Sequence, residues 1–176
     1  MNFVATPLAG VFVVEIEPIA DQRGLFARTF CRDEFAAQGL VPDLVQCSVS
    51  FNKQRGTLRG MHYQLMPHGE AKLVRVTQGS IYDVALDLRP DSPSYCRWFA
   101  VELSAENRRA LYIPVGCAHG FQSLEDEAEV FYQMSACYQP EAARGVRWDD
   151  PEFAIDWPGE VQSISERDRS YPDFRP

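Results

Sequence analysis

A chain of 176 residues, 45% of them hydrophobic and 24% charged, has the composition of one ordinary globular domain and is long enough to bury a core. Its formal net charge of −8 and sequence pI near 4.9 exclude nucleic acid and an anionic membrane surface as natural partners, so an anionic ligand has to be small and gripped locally. No apolar run is long enough to span a bilayer, residues 1–10 lack the pattern of a signal peptide, and a cytoplasmic protein is expected.

In chain order, the apolar, β-branched and aromatic run at 10–16 reads as a strand, Asp21-Gln22-Arg23-Gly24 as a turn, and 25–30 as a second strand. Residues 32–39 hold helix formers closed by a glycine and should be the longest helix. After Pro42 no helical period persists. Strands are expected at 45–52, 57–64, 72–77, 80–88, 96–103, 110–113, 120–124 and 129–136, which means an all-β sandwich or barrel. Gln78-Gly79 reads as a tight hairpin turn between two of them. The tail from Asp149, with Pro151, Pro158, Pro172 and Pro176, should be mostly loop, with a short helical turn at 163–169. The whole chain, 1–176, is read as a single domain.

Alternation assigns faces. Lys72 shares parity with Val74 and Val76, Tyr132 with Val130 and Met134, and Asp83 with Ile81 and Ala85, so all three polar side chains should enter the core side, where Asp83 could pair with Lys72. Cys31, Cys47, Cys96, Cys117 and Cys137 are odd in number and widely spaced, with no C-x-x-C pair, and are expected to be reduced and structural.

The densest chemistry lies in Arg55-Gly56-Thr57-Leu58-Arg59-Gly60-Met61-His62-Tyr63-Gln64. Guanidiniums can hold an anion and an imidazole can move a proton near neutral pH, although an exposed polar strand end would read the same way. Arg59 and His62 have opposite parity in a regular strand, so both can serve one ligand only if the strand bulges or ends near Gly60. The histidines His62, His68 and His119 form no His-x-His pair, so no metal is expected. Singly, His62 and His119 fit hydrogen-bonded core positions; together with an inward Lys72 and Tyr132 they fit a cavity. Nucleophile elbows and glycine-rich phosphate loops are absent from the sequence. A base, an acid and a cation suit proton abstraction beside a carbonyl, with no cofactor required.

Several separated motifs, Arg59-Gly60-Met61-His62-Tyr63-Gln64, Lys72-Leu73-Val74-Arg75-Val76, Ala118-His119-Gly120-Phe121, Tyr138-x-Pro140-Glu141 and Arg147-Trp148-Asp149-Asp150-Pro151, occur in an order that resembles the dTDP-4-dehydrorhamnose 3,5-epimerases, over about residues 6–168. The resemblance implies a cupin-type jelly-roll and a homodimer in which an N-terminal segment of one subunit helps to build the other's site. It implies a nucleotide-sugar substrate, with His62 as the base and Asp168 as its orienting carboxylate. Lys72 would steady the enolate and Tyr132 would be the acid on the opposite face. Arg59 and His119 would hold the diphosphate and sugar, Arg23 would reach over from the partner, and Tyr138 would stack on the base.

Arg28, Gln46-Cys47-Ser48, Ala143 and Arg167 stand where the family commonly has other residues, mostly around the nucleotide, which leaves the base open. Gln133-Met134-Ser135 departs from the usual pattern beside the acid, which leaves open which carbon is inverted. A single-carbon epimerase, a 3,4-ketoisomerase and a non-catalytic sugar-nucleotide-binding cupin are the alternative readings.

Overall fold

Short β-branched and aromatic segments, cut every few residues by Gly, Pro and Asp, fold as strands rather than helices because no stretch sustains a 3.6-residue apolar period. The computed structural model describes residues 1–175; Pro176 lies outside them. The chain opens with β1 (Asn2–Ala5), β2 (Phe12–Glu15), the hairpin β3 (Ile19–Asp21) and β4 (Gly24–Phe26), and the helix α1 (Arg32–Ala37). The body follows as β5 (Gln46–Asn52), β6 (Thr57–Gln64), β7 (Lys72–Gln78), β8 (Ser80–Asp87), β9 (Trp98–Ser104), β10 (Ala110–Ile113), β11 (Cys117–Ser123) and β12 (Ala128–Met134). The tail adds β13 (Ala143–Gly145), β14 (Ser163–Ile164) and α2 (Glu166–Arg169).

Two sheets face each other as a jelly-roll sandwich. The first runs β1-β2-β10-β7-β12-β5, the second β13-β6-β11-β8-β9, with β14 parallel to β6. Between them lies a core of Val13, Val74, Val76, Ile81, Leu103, Phe121 and Val130, against which Tyr132 packs. On the first sheet's outer face, Phe35 of α1 and Leu40 pack over Leu73 and Tyr112. Tail residues Phe153, Ile155 and Trp157 cover the second sheet's outer face over Met61, Val84 and Leu86. Most of the apolar surface of the two sheets is thereby covered, which is what an antiparallel sandwich needs in order to persist in water.

Apart from 25–30, the expected strand centres are all present, with ends shifted by a few residues, and β1, β3, β13 and β14 are additions. The segment 25–30 contracts to β4, and α1 stops before Gly39, whose φ of +71° suits a helix terminator. Gln78-Gly79 is not a hairpin. β7 and β8 lie in different sheets, so Gly79 at φ +69° carries the chain sharply from one layer to the other. So short a link is as compatible with a change of layer as with antiparallel pairing, and the local sequence does not distinguish them. All five cysteines are free, as expected; Cys47 and Cys137 are exposed.

Candidate active site

A cavity of about 590 Å³ opens between the sheets, lined by Arg59, His62, Lys72, His119, Tyr132 and Asp168 among others. A second hollow of about 420 Å³ adjoins it through His62, Lys72, Tyr132 and Arg167, and extends to Gln46, Ser48, Glu70 and Tyr138. Most of the sequence-level candidates thus converge on one place.

The convergence depends on a bulge in β6. His62 pairs with His119 and Arg59 with Phe121, so three residues of β6 are spanned by two of β11. Gly60 absorbs the extra residue at φ +130°, which a side chain would resist, and a Cβ there would lie 2.5 Å from the Gly120 Cα. Met61 turns outward into the tail-covered cluster while Arg59 and His62 both face the cavity. The bulge also directs the Gly60 N–H to donate to Asp168 Oδ2 at 3.2 Å.

His62 Nε2 lies 2.6 Å from Asp168 Oδ1, with the imidazole 40% exposed and the carboxylate nearly buried. Burial pushes the Asp168 carboxyl up, but its hydrogen bond to His62, the charge there and the Gly60 N–H hold it below its ordinary value. An ionised carboxylate can only accept, so in a neutral imidazole the hydrogen sits on His62 Nε2 and the lone pair on Nδ1 is the one that can take a proton. Asp168 reaches this position through α2, whose N-cap Ser165 accepts from the Asp168 backbone N–H at 3.1 Å.

Lys72, on β7 of the opposite sheet, donates from Nζ to the His62 carbonyl at 3.2 Å and pairs with Glu70 at the same distance. Asp83 does not pair with Lys72 as its parity allowed. Its Oδ1 meets His119 Nε2 at 2.7 Å, because His119 of β11 lies on the strand directly beside β8. That second imidazole is only 4% exposed, and Asp83 Oδ2 has no hydrogen-bond partner among the described residues. Tyr132, on β12, stands edge-on to His119 with ring centroids 5.8 Å apart. Burial, with the Asp83 charge added, pushes its phenol far above the ordinary tyrosine value, so it holds its proton. Base and acid candidates therefore come from opposite sheets and face one cavity.

Arg59 is fixed by donating from Nε to Asn52 Oδ1 at 2.8 Å. Gln46, Ser48, Tyr138, Ala143 and Arg167 line the second hollow. Cys47 does not line either hollow: strand alternation turns it to the outer face of β5. Arg23 and Arg28 also lie away from this chain's cavity. Arg23 is 89% exposed on the β3–β4 hairpin and paired with Asp21; Arg28 is paired with Glu34. His68 is exposed.

Residues 5–176 match the family described as dTDP-4-dehydrorhamnose 3,5-epimerase. The chain belongs to this family. It is 46% identical to the dTDP-4-dehydrorhamnose 3,5-epimerase of Methanothermobacter thermautotrophicus, over 99% of this chain and 95% of that one. The crystal structure of dTDP-4-dehydrorhamnose 3,5-epimerase from Elizabethkingia anophelis superposes with a TM-score of 0.96 at 37% identity, covering 99% of this chain and 96% of that one. That of dTDP-6-deoxy-D-glucose-3,5-epimerase from Legionella pneumophila, in complex with dTDP-4-keto-L-rhamnose, gives a TM-score of 0.88 at 37% identity, covering 95% and 89%. The epimerase family accounts for the jelly-roll as well as for the motifs.

Glu70, Ser50, Asn52 and Tyr171 are site residues that sequence reasoning missed. Glu70 and Lys72 share parity across an interval of two, and Ser50 and Asn52 share parity with Gln46 and Ser48, so alternation could have found three of them. Tyr171, edge-on to His62 at 6.5 Å, comes from the irregular tail and carried no such signal.

Proposed function

We propose that the protein epimerises a dTDP-linked 4-keto-6-deoxyhexose at carbons three and five without a cofactor. The observation that carries this reading is a base candidate on one sheet and an acid candidate on the other, across a shared cavity that an ammonium also lines. His62 removes the proton beside the 4-keto group, and the electron pair moves onto the keto oxygen as an enolate, which Lys72 steadies. Tyr132 then delivers its proton to the opposite face of the same carbon, and collapse of the enolate restores the ketone with that centre inverted. Asp168 holds His62 in the tautomer that exposes Nδ1. Arg59 and His119 bind the diphosphate and sugar, while Tyr138, with Gln46, Ser48 and Arg167, receives the nucleotide.

The working form is a cytoplasmic homodimer in which the β3–β4 hairpin brings Arg23, and the irregular segment entering α1 brings Arg28, toward the partner's cavity. Supporting this, both arginines lie away from their own cavity, and Ile19 and Phe26 of the hairpin are 73% and 76% exposed. Incubation with dTDP-4-keto-6-deoxyglucose in deuterated water should place solvent-derived label at both carbons. Absence of label at either carbon overturns the reading, and label at one alone would make it a single-carbon epimerase.

A further inference from the structure

A lysine brought to a cavity wall has to be held there, since its side chain carries about 2 kcal/mol of rotamer entropy and its charge is costly to bury unpaired. Lys72 is held by Glu70: the two side chains are each 10% exposed and Oε1 lies 3.2 Å from Nζ. Glu70 is itself fixed. Its Oε2 accepts from Gln64 Nε2 at 3.1 Å, and the same amide nitrogen reaches the carbonyls of His68 and Cys137. Gln64 Oε1 in turn accepts the Gln139 N–H at 2.6 Å. A continuous polar chain thus runs from the segment carrying Tyr138, through Gln64 and Glu70, to Lys72 and the His62 carbonyl.

We propose that Glu70 is a positioning residue for the epimerisation: it keeps the Lys72 ammonium aimed at the site of enolate formation, and ties it to the nucleotide-side segment through Gln64. The inference rests on the reading of Lys72 given above. A carboxylate near the site also repels a developing enolate, but an ammonium between two anions attracts both, and an ordered cation outweighs the more distant repulsion. The other charged or titratable groups facing the Lys72 cavity are His62 and Arg59 from β6, His119 from β11, Tyr132 from β12, and Arg167 and Asp168 from the tail; Arg144 of β13 lines the adjoining hollow. Among these groups, Glu70 is the carboxylate in ion-pair contact with Lys72.

The test compares wild type, Glu70→Gln and Glu70→Asp for turnover and solvent-deuterium incorporation with dTDP-4-keto-6-deoxyglucose. Glu70→Gln should lose about 10- to 100-fold in kcat with little change in KM, because a cation misplaced by about 1 Å costs on that order. Glu70→Asp keeps the charge and should lose less kcat than Glu70→Gln while still falling below wild type. A Glu70→Gln enzyme with the kcat of wild type, or with raised kcat, overturns the proposal. Should Glu70→Gln fail to fold, Glu70→Asp decides, and a wild-type kcat there overturns it. Wild-type protein that incorporates no label overturns the epimerase reading itself, and Glu70's role with it.

Discussion

Two imidazole–carboxylate pairs stand on adjacent strands, yet their surroundings differ. His62 is 40% exposed and paired with a carboxylate delivered by the tail, whereas His119 is 4% exposed and paired with Asp83 of the neighbouring strand. An exposed imidazole can exchange a proton with a ligand; a buried one is better placed to donate a fixed hydrogen bond. His62→Asn should therefore lower kcat by about 10³-fold, the scale of a lost general base, and abolish label incorporation from deuterated water. Tyr132→Phe should slow inversion while still permitting exchange, because deprotonation precedes the step the phenol serves. A Tyr132→Phe enzyme that loses exchange as fully as the His62 variant would undo this division of roles. At this scale much was legible: parity alone turned Lys72, Asp83 and Tyr132 inward. It did not choose Asp83's partner, because parity fixes a face of a strand and says nothing about which neighbouring strand stands nearest.

At the scale of elements, β6 and the loop after β8 carry the sharpest consequences. Gly60→Ala places a Cβ 2.5 Å from the Gly120 Cα at a φ of +130°, so it should destabilise the fold by roughly 3 kcal/mol by denaturant unfolding and lower activity by moving Arg59 relative to His62. The opposed parity of Arg59 and His62 anticipated the departure from regular pleating at Gly60. After β8, the fully buried Asp87 accepts from Arg89 Nε, Arg89 Nη2, the Arg89 N–H, Ser92 Oγ and Ser94 Oγ. Burial pushes its carboxyl up, but the guanidinium and hydroxyls outweigh burial and hold it well below the carboxylate range. A folded-state value below the unfolded one means that the pair's stabilisation is present above about pH 4 and is lost as pH falls through the folded value. Asp87→Asn should therefore cost about 3 kcal/mol near neutral pH and flatten the fall of stability on acidification, as read by thermal unfolding against pH. Gln78-Gly79 marks the limit of local reading, because whether a tight turn closes a hairpin or crosses between layers depends on strands far away in the chain.

Across the whole molecule, β5 inverts the usual pattern. Its polar residues Gln46, Ser48, Ser50 and Asn52 alternate with Cys47, Val49 and Phe51, and the apolar set is the exposed one, because the strand's inner face borders the cavity. Covering for the first sheet's outer face by α1 therefore leaves Val49 and Phe51 bare, and the β3–β4 hairpin leaves Ile19 and Phe26 bare. In the homodimer proposed above, these bare residues are the candidates for burial against the second copy. Ile19→Ser with Phe26→Ser should shift the protein to half its mass in sedimentation and reduce turnover, since Arg23 would no longer reach a neighbouring cavity; a double variant that keeps the wild-type mass and rate would refute this assembly. The all-β class was readable from strand spacing, but the uncovered face was not, because the inward pull of a cavity looks in sequence like an ordinary amphipathic strand.

The attachment of Asp168 has a dynamic consequence. The segment that carries it is held to β6 by a two-residue parallel ladder, Ser163 with Thr57 and Ile164 with Leu58, and by the bonds of Asp168 to His62 and the Gly60 N–H. When His62 takes the proton from the sugar, the hydrogen bond from a neutral imidazole to the Asp168 carboxylate becomes an ion pair and tightens. The chain end should then be most strongly clamped while the enolate exists and loosen as His62 discharges its proton. Turnover would in this way be written into the amide-exchange rates of α2, which should fall under steady-state catalysis and recover once substrate is exhausted.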